Sequence, residues 1–241
     1  MSYDRYLIVN ADDFGQSVGV NRGIIAAHEH GIVTSASLMV RWPAAAEAVA
    51  YARERSDLSL GLHLDLGEWA FCDGAWVPLY EVVPTSDETA VVAEVARQLN
   101  TFRRFAGKDP THLDSHQHVH RNEPLRSIMV DLAGKLCIPL RDFSPAVAYC
   151  GDFYGQSADG FPYPRGISVE GLTTTLKALP FGVTELGCHP AERNDLEGMY
   201  GAERCQELEV LCEPMIRGVL AELGIELTSF GNLAPASNGL T

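Results

Sequence analysis

The segment THLDSHQHVH (111–120) holds four of the chain's eight histidines within nine residues, together with the carboxylate of Asp114. Imidazole and carboxylate groups bind divalent cations and also transfer protons near neutral pH. In a strand, the even-numbered positions of this segment share one face; in a helix, His112 and His116 form an i, i+4 ligand pair. Either geometry leaves His116 placed to bind a ligand. A polar rim stabilised by hydrogen bonds is the alternative.

Other ionisable side chains stand where strand-like runs end, at Asp12, Asp13, His63, Asp65, Arg141, Asp142 and His189. In a parallel barrel the carboxyl ends of all strands meet at one mouth, so we expect these groups to lie together. Burying so many of them is costly unless they are paired or bound to a metal. Two histidines and one carboxylate are a usual ligand set for zinc and other divalent cations, with positions left open for water and substrate.

The two adjacent carboxylates are expected to play different parts. Neighbouring side chains on a strand point to opposite faces, so one of Asp12 and Asp13 could bind a metal while the other faces a water. Alternatively, one of them caps the helix that begins near Ser17.

The three remaining candidates also have more than one interpretation each. His63 is either part of the site or a hydrogen-bonded core residue. His189 is suited to act as a general acid, but it could equally be a hydrogen-bonded loop residue. Arg141 could orient a catalytic aspartate, bind an oxyanion or form a structural ion pair.

Strand-like apolar runs alternate with helical patterns along the chain. The predicted strands are 6–12, 35–40, 58–66, the histidine segment (favoured as a strand by Pro110 and Thr111), 138–143, 183–189 and 225–230. The predicted helices are 20–31, 44–55, 88–107, 125–137, 169–179, 202–211 and 214–223. Segments 67–87 and 144–168, rich in Gly, Pro and aromatic residues, are predicted to be long loops near the site. The tail, 234–241, is predicted to fray.

This alternation predicts an α/β fold with about seven parallel strands and covering helices. A (β/α) barrel and an open doubly wound sheet both fit the pattern. The chain contains no internal repeat, no low-complexity tract and no clear boundary, so residues 1–241 are expected to form a single domain. The metal site is expected at the C-terminal ends of the strands.

Composition excludes several classes of function. The net charge of −14 argues against general affinity for nucleic acid or anionic membranes. No run of about 18 apolar residues predicts a membrane span, and the N-terminus lacks the pattern of a signal peptide. The six cysteines form no CxxC motif and are expected to be reduced, so we expect a cytoplasmic protein. No Walker, GxGxxG or GxSxG motif is present.

Four stretches taken in order resemble one family. LIVNADDFGQSVGVNRGIIAAHEHGIVTSASLMV, GLHLDL, THLDSHQHVH and ELGCHP are similar to the YdjC-like carbohydrate deacetylases, which include chitooligosaccharide deacetylase and the hopanoid-biosynthesis deacetylase. The resemblance runs from about residue 6 to 231. It implies a distorted (β/α) barrel and metal-dependent hydrolysis of an N-acetyl group on a sugar.

The resemblance also implies roles for individual residues. Asp13 corresponds to the metal carboxylate, and His63 and His116 correspond to the two imidazole ligands. Asp12 corresponds to the general base and His189 to the general acid, and Arg141, on a looser match, would orient Asp12. The remaining motif residues are expected to support the site without an assigned role: His112, Asp114, His118 and His120.

The implied cofactor is one divalent metal ion, zinc or magnesium, although nickel and cobalt also suit the ligand set. The implied substrate is an N-acetylated sugar, either an oligosaccharide or a glycolipid, and FYGQ with ELGCHP favours the hopanoid branch. Loop 144–168 could be a lid or a sugar platform, through Phe153, Tyr154 or Phe161, or a purely structural loop.

Two rival functions stay open: a metal-dependent hydrolase of another amide or ester bond, and a sugar-binding protein without catalysis. The helices over 202–223 could pair subunits in a homodimer or lie as solvated faces of the barrel.

Overall fold

The computed structural model describes residues 4–72, 74–157, 160–196 and 200–233. The strand β1 (Arg5–Phe14) lies in the middle of its main sheet. The other strands are β2 (Ser35–Leu38), β3 (Ser59–Leu64), β4 (Gly67–Cys72), β5 (Ala75–Glu81), β6 (Leu113–Ser115), β7 (Ala148–Cys150), β8 (Gly182–Cys188) and β9 (Ile225–Thr228). The helices are α1 (Val18–Glu29), α2 (Ala45–Glu54), α3 (Glu88–Ala106), α4 (Leu125–Leu136), α5 (Val169–Ala178), α6 (Ala202–Leu211) and α7 (Pro214–Leu223). Two 3₁₀ turns span His116–Arg121 and Phe230–Asn232.

Seven strands of the described chain form one sheet in the order β6-β3-β2-β1-β8-β7, with β9 beside the first half of β1. Every strand pair in this sheet is parallel. The sheet curls into a half-barrel that is open between β6 and β7. The predicted distorted (β/α) barrel with about seven parallel strands is therefore confirmed, and the carboxyl ends of the strands meet along one rim.

The central position of β1 follows from its apolar run. Leu7, Ile8 and Val9 are fully buried, and helix α1 packs across the sheet through Val20 and Ile24. Ser17 begins α1 by accepting a hydrogen bond from the Val20 N–H at 3.1 Å, so the N-cap residue is Ser17 and not Asp12 or Asp13.

The end of β1 departs from regular alternation. The register with β2 shifts between Ala11 and Phe14, and Asp13 has a φ of 66°, in the left-handed region. This bulge turns both Asp12 and Asp13 toward the same cavity. The prediction that they face opposite sides is therefore wrong, because alternation holds only where the pairing is regular.

The segment 67–87 is not a loop throughout, since β4 and β5 form an antiparallel hairpin within it. The sequence carries the signal for this hairpin: Asp-Gly at 73–74 separates two runs rich in aromatic residues. The described residues of segment 144–168 are mostly irregular, as predicted, apart from the short strand β7.

Two predicted strands are much shorter in the structure. In the histidine segment, β6 ends at Ser115, and His116 already begins the 3₁₀ turn, so the shared face covers only His112 and Asp114. Segment 138–143 makes a single bridge, Leu113 to Leu140. Pro139 has no N–H to donate, and Asp142 adopts a φ of 67° that turns the chain, which together end the pairing.

The seven predicted helices are confirmed within a few residues at each end. Helix α3 ends at Gly107, whose φ of 73° is the left-handed conformation expected after a helix. No helix in the described ranges is long and apolar enough to cross a membrane. The predicted fraying of 234–241 concerns residues outside the described ranges.

Candidate active site

Three of the predicted site residues converge at the rim of the half-barrel. Asp13 Oδ1 lies 3.0 Å from His116 Nδ1 and 3.2 Å from His63 Nε2, and all three residues are buried. Asp13 is at the end of β1, His63 is in β3, and His116 follows β6. Because β3 pairs with β6 in parallel register, with His63 opposite Asp114, the two histidines approach each other.

The donor atoms of this trio fit a divalent cation. One ligand atom from each residue lies within 4.8 Å of the others. The Nε2 atoms of His63 and His116 are buried without a hydrogen-bond partner among the described residues. Each ring places Nδ1 within hydrogen-bond distance of a carboxylate, at 2.8 Å for His63 and 3.0 Å for His116. When Nδ1 keeps its proton and the ring is neutral, Nε2 carries the lone pair that a cation would take.

The charge at the trio also favours a cation. Burial alone would raise the pKa of Asp13, but Arg204 and His116 outweigh burial and hold it well below its usual value. Burial alone would lower the pKa of His116, yet the adjacent Asp13 raises it to about 9. The pocket therefore stabilises positive charge at this point, and a metal ion would replace protons there.

Two other groups of potential ligands in the described chain are less suitable. Asp12, His63 and Asp114 come close together, but the guanidinium of Arg141 already lies against both carboxylates. The second group consists of His118, His120 and Asp142. There Arg121 binds Asp142 at 2.7 Å, and burial together with Arg141 lowers the pKa of His118 to about 2. Both groups thus already contain a carboxylate paired with arginine. Asp13 is also paired, with Arg204, but only through Oδ2, so its Oδ1 faces the two imidazoles.

Asp12 is held from two sides. Arg141 Nη1 and Nη2 donate to its two oxygens at 2.6 and 2.7 Å, a bidentate pair, and Asn10 Nδ2 donates to Oδ1 at 3.0 Å. Arg141 also binds Glu185 at 2.6 Å. The guanidinium of Arg141 is therefore shared among several carboxylates. Burial raises the pKa of Glu185 to about 7.

Asp114 orients His63 from behind. Its Oδ1 accepts from His63 Nδ1 at 2.8 Å, and its Oδ2 accepts from Ser37 at 2.6 Å. Arg141 contacts Oδ2 at 2.9 Å. A carboxylate that fixes the far nitrogen of a histidine also fixes which nitrogen faces a ligand, so Asp114 supports the trio without joining it.

His189 also lines the cavity and directly follows β8. Its Nε2 is 3.8 Å from Asp12 Oδ2, and its Nδ1 is 3.8 Å from Glu207 Oε1. The rings of Tyr154 and Tyr200 stack on each other at 4.5 Å and both meet the imidazole edge-on. Glu207 accepts hydrogen bonds from the His189 backbone N–H and the Tyr200 hydroxyl.

The other histidines of the segment have separate surroundings. His112 bonds to Ser37 at 3.0 Å and stacks on Phe230 at 3.8 Å, below the site. His120 bonds to the Ser115 hydroxyl at 2.6 Å and so holds the turn that presents His116. His118 lines the cavity.

Three buried residues near the site were missed from the sequence: Glu185, Arg204 and Glu207. Arg204 donates to Asp13 Oδ2 at 2.7 Å across 191 positions of sequence. Arg204 and Glu207 lie in α6, where charged residues at helical spacing look like a solvated face. Glu185 lies inside a strand, and its only signal was a single charge within an apolar run.

The cavity has a volume of about 710 Å³ and brings Asp12, Asp13, His63, His116 and His189 to one surface. Arg141 is buried behind Asp12 and does not line it. Of the three aromatic residues proposed for a sugar platform in loop 144–168, Phe153 and Tyr154 line the cavity, and Phe153 is otherwise fully buried. Phe161 is 68% exposed and lies outside the cavity.

The family model described as YdjC-like protein matches residues 6–222. The chain belongs to the YdjC-like family. A carbohydrate deacetylase of Geobacillus stearothermophilus is 34% identical, and the match covers 94% of this chain and 97% of that protein. A chitooligosaccharide deacetylase of Serratia marcescens is 31% identical, with 95% and 100% covered.

Among solved structures, an Enterococcus faecalis protein superposes with a TM-score of 0.73 at 27% identity, covering 96% of this chain and 99% of that one. The YdjC-like match begins in β1 and ends in α7. It therefore includes every element that contributes a side chain to the cavity.

Proposed function

We propose that this YdjC-like chain is a metal-dependent carbohydrate deacetylase, which hydrolyses the N-acetyl group of an acetylated amino sugar to acetate and a free amine. The observation that carries the proposal is one cavity lined by a buried Asp-His-His trio, by a carboxylate that arginine holds in place, and by His189. The names of the curated relatives support the substrate class. The proposal treats residues 1–241 as one catalytic domain.

Asp13, His63 and His116 would hold the metal. A divalent cation at such a site polarises a carbonyl and lowers the pKa of a bound water. Zinc and magnesium are the first candidates, and nickel and cobalt also accept two imidazoles and a carboxylate. The open side of the trio faces the cavity, where an acetamide and a water can enter.

Asp12 serves as the general base in this proposal. Its carboxylate faces the cavity, while the bidentate contact with Arg141 fixes the plane of the group. A base held in one orientation can accept the proton of the attacking water without first reorienting its side chain.

His189 serves as the general acid, which gives its proton to the leaving nitrogen. Its imidazole is held between the edges of Tyr154 and Tyr200, with Nε2 turned toward Asp12. Amide hydrolysis needs a proton acceptor for the attacking water and a proton donor for the leaving nitrogen, whereas simple sugar binding needs neither.

The test measures metal content and acetate release from N-acetylated sugars and glycolipids. We expect Asp13→Asn to lose the metal and the activity. Asp12→Asn should keep the metal and lower kcat by about 10²–10⁴-fold, the usual contribution of general acid–base catalysis. Asp109→Asn, at an exposed surface pair, is the matched control.

Full activity of Asp12→Asn or His63→Ala would contradict the assignment of roles. Hydrolysis of other amides or esters in the same assay, with no acetate from sugars, would replace the proposed substrate class. Sugar binding without any hydrolysis would favour a binding protein.

A further inference from the structure

The hairpin of β4 and β5 presents an aromatic face to the cavity. In its register Trp69 lies opposite Pro78 and Phe71 opposite Trp76, so Trp69, Phe71 and Trp76 share one face. Trp69 and Trp76 line the same cavity as Asp12 and Asp13. The proposed chemistry uses neither tryptophan.

The hairpin is fixed relative to the proposed metal ligands. The Gln117 side chain accepts from the Trp69 N–H at 2.9 Å and donates to the Trp69 carbonyl at 2.8 Å. Gln117 directly follows His116 and has a φ of 49°, which turns its amide toward the hairpin. At the other end, the Tyr80 hydroxyl donates to Asp65 at 3.0 Å, just beyond β3. The aromatic face is thus a pre-positioned wall.

The exposure of Trp76 marks this wall as a ligand surface. Trp76 is 55% exposed at the cavity, and its ring is braced by Phe71 at 5.5 Å. Exposed apolar surface beside a cavity is typical of ligand sites. Phe161 and Phe181 are more exposed, at 68% and 66%, but neither lines the cavity.

We propose that the face formed by Trp69 and Trp76 is a second sugar subsite, which holds the ring adjacent to the acetylated one. An indole offers a flat apolar surface that matches the C–H face of a pyranose, at small entropic cost. The cavity of about 710 Å³ lies in the range that encloses a drug-sized ligand, more than one acetylated ring requires. The two tryptophans are thus the residues that select a substrate with a second ring. This inference rests on the proposed deacetylase function.

The test compares kcat/KM for acetate release from N-acetylglucosamine and from its β-1,4-linked dimer. We expect the wild type to prefer the dimer, and Trp76→Ala to lower the dimer-to-monomer ratio about tenfold, equivalent to about 1.4 kcal/mol. Phe181→Ala removes an exposed aromatic side chain outside the cavity and should leave the ratio unchanged. If Trp76→Ala kept the dimer-to-monomer ratio of kcat/KM that the wild type shows, the proposed subsite would be wrong.

A second measurement is independent of catalysis. The dimer should change the tryptophan fluorescence of the metal-free wild-type chain, and Trp76→Phe, which keeps an aromatic ring, should fold and lose most of that change. An undiminished fluorescence change in Trp76→Phe would overturn the proposal. If no sugar yields acetate, the deacetylase function fails, while the fluorescence result still supports or refutes the subsite.

Discussion

Asp13 illustrates how one buried carboxylate acquires its surroundings. It meets Arg204 on one oxygen and the two imidazoles of His63 and His116 on the other. A buried charge is tolerated only when it is paired, and removing one partner leaves the other uncompensated. Arg204 therefore has a structural part in the site that does not depend on catalysis.

At the scale of single residues, we expect Arg204→Met to lower the free energy of unfolding by about 3 kcal/mol, because Asp13 loses a buried partner. Urea denaturation with a chelator present, so that no metal compensates, measures the effect. The control is Arg22→Met, at a pair whose side chains are 53% and 52% exposed, which should change stability by less than about 1 kcal/mol. Equal effects of the two substitutions would contradict the structural part assigned to Arg204.

At the scale of elements, β3 carries His63, and its packing depends on a glycine. A Cβ on Gly61 would lie 2.4 Å from His112 Nε2. That ring cannot move aside easily, because it bonds to Ser37 and stacks on Phe230. Strand β3 can therefore pack this close to His112 only because residue 61 is a glycine.

Gly61→Ala should destabilise the protein by about 1–3 kcal/mol through overpacking, and the displacement of β3 should also lower activity. Gly134→Ala in α4 is the opposite case, since a Cβ there meets nothing within 4 Å. Alanine in that helix should stabilise by about 0.5–1 kcal/mol. Thermal unfolding of both variants checks the signs, and a stable, fully active Gly61→Ala would show that His112 can give way.

For the whole molecule, the proposed ligands join distant parts of the chain. Asp13 and His116 are 103 positions apart, and they reach the site from the end of β1 and from the turn after β6. An ion bound there would cross-link β1, β3 and the turn after β6. Binding to the folded chain alone stabilises it by mass action.

We expect zinc, cobalt, nickel or magnesium to raise Tm, with a gain of about 2.7 kcal/mol when the free ion is 100-fold above its Kd. A chelator should reverse the shift. His63→Ala should abolish it, whereas His112→Ala, which changes a histidine outside the trio, should keep it. A Tm independent of every ion would argue against a metal at the trio.

Much of this molecule was predictable from local pattern. The strand–helix alternation, the seven helices and the parallel sheet follow from periodicity among near neighbours, and the four motifs identified the family. The clustering of Asp13, His63 and His116 was also predicted, because polar residues at the ends of parallel strands must share a rim. Hydrophobic spacing and strand ends are properties of neighbouring residues, so the sequence by itself determined them.

Tertiary structure decided what local pattern leaves open. The bulge at Asp13 placed both carboxylates in one cavity, which alternation alone argued against. Arg204 and Glu207 reached the site from α6, and β4 and β5 brought two tryptophans to it. These contacts join residues far apart in sequence, so they depend on how whole elements pack. A helix or hairpin shows the same spacing whichever neighbour it meets, and only the packed chain determines that neighbour.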